Sequence, residues 1–220
     1  MWKLLRWLTS HVFGPIILWY TKRDRTYHYE GLTLLIKRGV FHPRFFFSTK
    51  FLLRAIKKQE LANKTALELG AGSGLISFYM ANRGAQVTAT DISTIAIEGL
   101  QVNKTNLKST IHIIHSDLFA QIPAQSFDYI IINPPYYPKN PNNQEEMAWF
   151  CGTNHEYFHK LFVQLGNYMP LNTIVWMSLS EDCNITQIKQ IAENNNFFLT
   201  LAHKKRIIGE LNYIYQIIKK

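Results

Sequence analysis

From residue 64 onward, apolar runs of strand length alternate with stretches of helical period, and this alternation restricts the fold more than any other feature of the chain. The expected strands are Thr65–Leu69, Gln86–Thr90, Ile111–His115, Phe127–Ile132 and Thr173–Leu179. Between them, Leu75–Arg83, Thr94–Asn103, His155–Met169 and Thr186–Asn194 carry apolar residues at helical spacing. Strands joined through helices pair in parallel, because only a crossover returns the chain to the starting edge, and the helices then cover both faces. Phe197–His203 and Leu211–Ile218 are separated only by Lys204–Glu210, too short for a crossover, and are expected as an antiparallel hairpin. The predicted class is α/β, with a doubly wound sheet. Ahead of this region, Tyr27–Lys37 alternates loosely and predicts a strand or hairpin, and Lys50–Gln59 a helix capped by Ser48 or Thr49.

Polar residues stand where the strands stop. Ile130-Ile131-Ile132 suits a central strand covered on both faces, and Pro134-Pro135 ends it because neither proline can donate to a ladder. Asn133 and Tyr136 are thereby left at the carboxyl end of a strand, where open α/β sheets bind ligands. Glu68-Leu69-Gly70-Ala71-Gly72-Ser73-Gly74 lies between a strand and a helix, and its glycines let backbone turn sharply beside a ligand. Asp91 follows Gly70 by 21 residues, the place of a carboxylate that takes ribose hydroxyls. Asp117 closes the third strand, where it can accept from an adenine amine. The glycine spacing is GxGxG, and Glu68 would repel a pyrophosphate. S-adenosylmethionine has an ammonium and a sulfonium and no phosphate, which suits an acid at that point.

Taken together, Leu67–Gly74, Ala89-Thr90-Asp91, Ser116-Asp117 and Asn133-Pro134-Pro135-Tyr136 resemble the class I S-adenosylmethionine-dependent methyltransferases. Within them the chain is most similar to the HemK-type, methyltransferase small-domain group that carries an NPPY motif. The likeness runs over roughly residues 40–220. It implies a Rossmann-like, seven-stranded sheet with an antiparallel last strand. It implies that Glu68, Gly70, Gly72 and Gly74 border the methionine part of the cofactor, that Asp91 and Ile92 hold the ribose, and that Asp117 faces the adenine. Asn133, Pro134 and Tyr136 become the catalytic set: the Asn133 oxygen and the Pro134 carbonyl accept from the target's NH2, and Asn133 also borders the cofactor. Tyr136, Pro135 and Phe45 would contact a flat substrate.

The implied acceptor is a planar NH2 group, first of all a glutamine amide of a protein of the translation machinery, with an exocyclic adenine amine of RNA, or less readily DNA, as the alternative. The first 60 residues show no likeness to the helical docking domain of bacterial release-factor enzymes. They hold instead a basic, Trp-rich segment, expected to pack on a catalytic domain at residues 61–220 rather than lie in a membrane interface. Residues 1–64 carry 13 Lys/Arg against 3 Asp/Glu and the rest of the chain 11 against 12, so all of the net charge of +9 resides in the first part. Such a block suits an anionic partner surface or simply a solvated face. Cys151 and Cys183 form no CxxC pair, which points to a reduced, cytoplasmic protein. Two further readings are kept: a cofactor-binding module without catalysis, and a zinc hydrolase built on His155, Glu156 and His159 in an HExxH pattern. The oligomeric state is not encoded in any motif.

Overall fold

The computed structural model describes residues 19–45 and 47–220. The stretch Met1–Tyr20, expected as a short amphipathic helix and a second apolar piece, lies outside the described residues except at its last two positions.

Arg25–Tyr29 (β1) and Leu32–Ile36 (β2) form the hairpin that their alternation predicts. Glu30 and Gly31 close it at φ 45° and 83°, the left-handed pair that a two-residue turn needs to follow the twist of its strands. Phe47–Ile56 (α1) leads to the main sheet: Thr65–Leu69 (β3), Leu75–Asn82 (α2), Gln86–Asp91 (β4), Thr94–Asn106 (α3), His112–His115 (β5) and Tyr129–Ile132 (β6). Glu156–Leu165 (α4), Ile174–Ser180 (β7), Ile185–Asn194 (α5), Phe197–Ile207 (β8) and Glu210–Lys219 (β9) complete it. The sheet has seven strands in the order β5-β4-β3-β6-β7-β9-β8. The first five pair in parallel, β9 runs antiparallel to β7, and β8 antiparallel to β9. The architecture is therefore the Rossmann-like one, with its antiparallel pair at one edge.

The chain winds outward from β3 through β4 to β5, then returns to start β6 on the other side of β3. That reversal leaves a crevice at the carboxyl ends of β3 and β6. Each sheet face has its own core. Ala66, Ile131 and Trp176 pack with Leu34, Leu52, Ile76 and Leu100 on one side. Leu67, Ile130 and Val175 pack with Phe158, Phe162 and Ile188 on the other. The first hairpin and α1 share the former core. A buried Asn103 on α3 docks the hairpin: its Nδ2 donates to Leu35 O (2.9 Å) and its Oδ1 accepts from Leu35 N (2.7 Å), so a polar side chain satisfies the backbone of a strand edge.

Three boundaries differ from the sequence expectation. α1 begins at Phe47, so Ser48 and Thr49 lie buried within its first turn instead of capping it. Lys204–Ile207 belong to β8 and only Ile208-Gly209 make the turn; lysines that read as a loop are edge-strand residues, where charge is favoured because it opposes pairing with other chains. His155 precedes α4 with a left-handed backbone (φ 60°) rather than starting the helix. Among the described residues no helix is long and apolar enough to cross a membrane.

Gly74, the residue before α2, sits at φ 74°, and a Cβ there would lie 2.4 Å from Leu100 Cδ2 and 2.7 Å from Phe78 Cε2. Gly74→Ala combines overpacking with left-handed strain, and should lower the unfolding free energy by about 2 kcal/mol or more in denaturant titrations.

Candidate active site

The crevice opens into a cleft of about 1210 Å³ whose wall includes Phe45, Glu68, Gly70, Gly72, Asp91, Ile92, Asp117 and the whole Asn133–Tyr136 motif. Gly74 belongs to the same glycine run but not to this wall; its surroundings are Leu100 and Phe78. Gly70 and Gly72 turn the chain at φ 68° and 50°, and a Cβ built on Gly70 would meet no protein atom within 4 Å. The space beside Gly70 is open to a ligand.

The loop is tied to β4 through Asp91. Gly72 N donates to Asp91 Oδ2 and Ser93 N to Asp91 Oδ1, each at 2.8 Å, and Ile92 N is a further backbone donor, so the carboxylate is aimed by the backbone around it. Burial still holds this carboxyl above its usual range. Glu68 points to the face covered by α2, where Ser77 N donates to Oε2 at 2.8 Å and the Ser77 hydroxyl bonds the same oxygen. Burial pushes Glu68 up to about 8, only partly opposed by those two donors. With no cation beside it, Glu68 is therefore a largely neutral acid at pH 7, ready to ionise when one approaches.

Asp117 is half exposed and paired with Lys160 of α4. Tyr157, one turn earlier on the same helix face, also lines the cleft, its phenol raised by burial and then by the charges of Asp91 and Asp117. Sequence reasoning singles out neither Tyr157 nor Lys160. Their spacing of three places them together, but the HExxH pattern draws attention to their neighbours.

At the other end, the Asn133 side chain is held by two hydroxyls. Ser178 Oγ of β7 lies 2.5 Å and Tyr136 Oη 3.1 Å from Asn133 Oδ1. Tyr136 turns its hydroxyl inward and packs its ring partly against the core on the α4–α5 side, while still contributing to the cleft wall. Beyond the motif, the segment 137–151 contributes further to the cleft wall through Tyr137, Asn140, Met147 and Trp149. Tyr136 N and Tyr137 N both donate to Trp149 O (3.0 and 2.9 Å), and the Trp149 and Phe41 rings meet at 5.1 Å.

The zinc arrangement does not form. His155 is buried and left-handed, His159 is exposed, and Glu156 accepts from Asn154 N (3.0 Å) and Nδ2 (3.1 Å). With His155 outside the helix, the two imidazoles lose the shared face that spacing of four would give. Among the described residues no three His, Cys, Asp or Glu side chains converge as metal ligands.

A doubly wound sheet with an acidic, glycine-lined cleft and an Asn at its central strand end is the arrangement expected of an S-adenosylmethionine-dependent enzyme. The chain matches the methyltransferase small domain family over residues 31–153, and it belongs to that family of S-adenosylmethionine-dependent methyltransferases. It is 34% identical over 160 residues to a bifunctional methyltransferase of Rickettsia bellii, covering 71% of this chain and 25% of the relative. It is 28% identical over 152 residues to a putative protein N5-glutamine methyltransferase of Methanocaldococcus jannaschii (66% and 75%). It is 32% identical over 102 residues to a tRNA1(Val) (adenine(37)-N6)-methyltransferase of Haemophilus influenzae (42% and 44%). The chain thus spans less than half the length of the first and third of these. The ribosomal protein L11 methylase of Lactobacillus delbrueckii subsp. bulgaricus shares the fold, with a TM-score of 0.60 at 21% identity over 79% of each chain.

S-adenosylmethionine fits this cleft: open space at the glycine turn, a buried acid able to ionise beside a cation, and an aimed carboxylate at the end of β4. A cation seated near Glu68 favours its charged form, so binding below the free value of about 8 releases a proton. Calorimetric affinity for S-adenosylmethionine should therefore rise with pH from about 6 and level off above about 8, and Glu68→Gln should weaken binding roughly tenfold and remove that part of the slope.

Proposed function

We propose that this enzyme methylates a planar NH2 group, and that the group is the side-chain amide of a protein glutamine. The observation that carries the reading is Asn133 at the end of a fully buried β6, followed by two buried prolines that leave it little freedom, in the same cleft as the glycine turn. When bound, S-adenosylmethionine supplies a methyl on a sulfonium, which leaves as a neutral thioether when the acceptor nitrogen takes the methyl. Glu68 and the turn at Gly70 and Gly72 would hold its methionine part, Asp91 and Ile92 its ribose, and Asp117 with Tyr157 its adenine. Pro134 O and the Asn133 amide accept the two N–H groups of the target, fix its lone pair towards the methyl and stabilise the positive charge that develops on nitrogen. Pro135 and Phe45 flank the target. The methylated nitrogen then gives up one proton to water. No strong base is required, and the site presents carbonyl groups there. The relatives named for glutamine methylation support this acceptor. Residues 1–60 are read as an extension that belongs with the catalytic domain, and the two free, buried cysteines suit a reducing cytoplasm.

A second acceptor, an adenine amine of RNA, is favoured by one feature. Arg25, Arg44 and Lys50 gather about a buried His42, Arg54 stands near Lys50, and Arg44 lies on the cleft wall with Phe45. Among the described residues none of the four forms an ion pair with a carboxylate, and residues 1–23 contain no Asp or Glu. Burial and the neighbouring Arg44 and Arg54 hold Lys50 below the usual lysine range. A cation cluster with aromatic neighbours beside the acceptor opening suits phosphates.

Incubation with methyl-labelled S-adenosylmethionine and cell extract should yield a product that is sensitive to protease and resistant to nuclease; the reverse pattern selects RNA. Asn133→Ala should reduce labelling roughly 100-fold or more while changing cofactor affinity less than about threefold. Under the RNA reading, Arg44→Ala/Lys50→Ala/Arg54→Ala should weaken retention on RNA and reduce its salt slope by roughly one for each phosphate no longer neutralised; under the glutamine reading the native protein shows no such retention.

A further inference from the structure

An NH2 target needs an oxygen from Asn133, yet in this structure that oxygen is engaged elsewhere. Both lone pairs of Oδ1 face hydroxyls, Ser178 Oγ at 2.5 Å and Tyr136 Oη at 3.1 Å, and the amide therefore turns its Nδ2 away from them. The two hydroxyls are 3.2 Å from each other, so the three groups form a closed triangle. Ser178 is only 1% exposed, and the pairing of Ile132 with Met177 sets it next to Asn133 on the neighbouring strand.

A hydroxyl donates or accepts as its partner requires, whereas an amide has distinct ends. We propose that Ser178 and Tyr136 form a positioning clamp for Asn133, which grips the NH2 end of the amide and presents Oδ1 to the acceptor nitrogen during methyl transfer. In that arrangement the two Nδ2 hydrogens go to Ser178 Oγ and Tyr136 Oη. The Ser178 proton then points to Tyr136 Oη, and the Tyr136 proton to the Ser48 hydroxyl of α1, which already contacts it. Both Nδ2 hydrogens and both clamp hydroxyl protons then have an acceptor, so a half-turn of the amide about χ2 exchanges the two states while the Asn133 amide, Ser178 and Tyr136 stay paired with one another. Ser178 does not touch the substrate; it acts through Asn133. The inference rests on the planar NH2 reading above, and it is the same for glutamine and adenine.

The test uses initial rates of methyl incorporation from labelled S-adenosylmethionine into cell extract, with cofactor affinity and melting temperature measured on each variant. Ser178→Ala should lower the rate roughly tenfold at saturating cofactor with unchanged cofactor affinity, and Ser178→Thr, which keeps the hydroxyl, should restore most of it. Asn133→Asp supplies the discriminating background, because a carboxylate shows the acceptor an oxygen whichever way it is turned. There Ser178→Ala should cost less than about twofold. An equal loss from Ser178→Ala in both backgrounds would reduce Ser178 to a packing role and overturn the clamp. Should Asn133→Asp turn over too slowly to measure, the threonine variant decides: a folded Ser178→Thr protein no faster than Ser178→Ala also overturns it. Label recovered from native protein on an atom other than an NH2 nitrogen would strike the planar NH2 reading itself; normal labelling by native protein and Ser178→Ala alike would strike only the clamp.

Discussion

The two parallel pairings of β3, with β4 on one side and β6 on the other, are the constraint from which the site follows. They set the ends of three strands side by side, so Glu68, Asp91 and Asn133 meet although 65 residues separate the first from the last. Parallel pairing demands crossovers, and the crossovers put α2 directly over Glu68, where Ser77 receives its carboxyl. The same winding returns β7 beside β6 and brings Ser178 to Asn133. The site residues converge because the sheet does.

Burial then decides the electrostatics. Glu68 and Asp91 are shielded from water, and both carboxyls are displaced upward despite backbone donors. Two neighbouring buried acids are unfavourable as a pair of anions, and the protein by itself relieves this by keeping Glu68 protonated. A cationic ligand reverses the balance. Its affinity is thus linked to a protonation that the fold favours in its absence, which makes the acid end of the cleft selective for positive charge rather than merely attractive to it. Asp117 differs because it is half exposed and already paired with Lys160, so it can accept a hydrogen bond without carrying an uncompensated charge.

Much of this is legible in the sequence, for a reason. Strand ends are local features: Glu68, Gly70, Gly72, Asp91, Asp117 and Asn133 each follow or close an apolar run, and an α/β fold sends all such ends to one side. What the sequence hides depends on pairings across it. Gly74 shares the glycine motif, but its close approach to Leu100 is set by how α2 packs on α3. Ser178 looks like any small residue in a strand until the register with β6 is known. Tyr136 reads in sequence as a stacking ring, and the inward turn of its hydroxyl follows from the same two partners. The HExxH pattern needs a helix from His155, whereas the chain enters α4 through a left-handed residue and separates the two imidazoles. Lys204–Ile207 read as a loop because charge is common there, and equally common on an edge strand.

The distribution of charge along the cleft bears on the reaction itself. Methyl transfer moves a positive charge from sulfur to the acceptor nitrogen, which in the proposed arrangement is away from Glu68 and Asp91 and towards Asn133, on a cleft wall that also includes Arg44. The acids hold the charge back and the cations raise its energy on arrival, so both ends of the cleft oppose the displacement unless something compensates at the acceptor end. In the proposed arrangement, carbonyl dipoles from Asn133 and Pro134 would do part of this at short range. The remainder would fall to a partner that brings negative charge to Arg25, Arg44 and Lys50 and so removes the repulsion felt by the new cation. On the proposed reading, seating an anionic part of the acceptor against those cations would therefore favour the arrival of positive charge at the nitrogen, so docking and methyl transfer would draw on the same electrostatics.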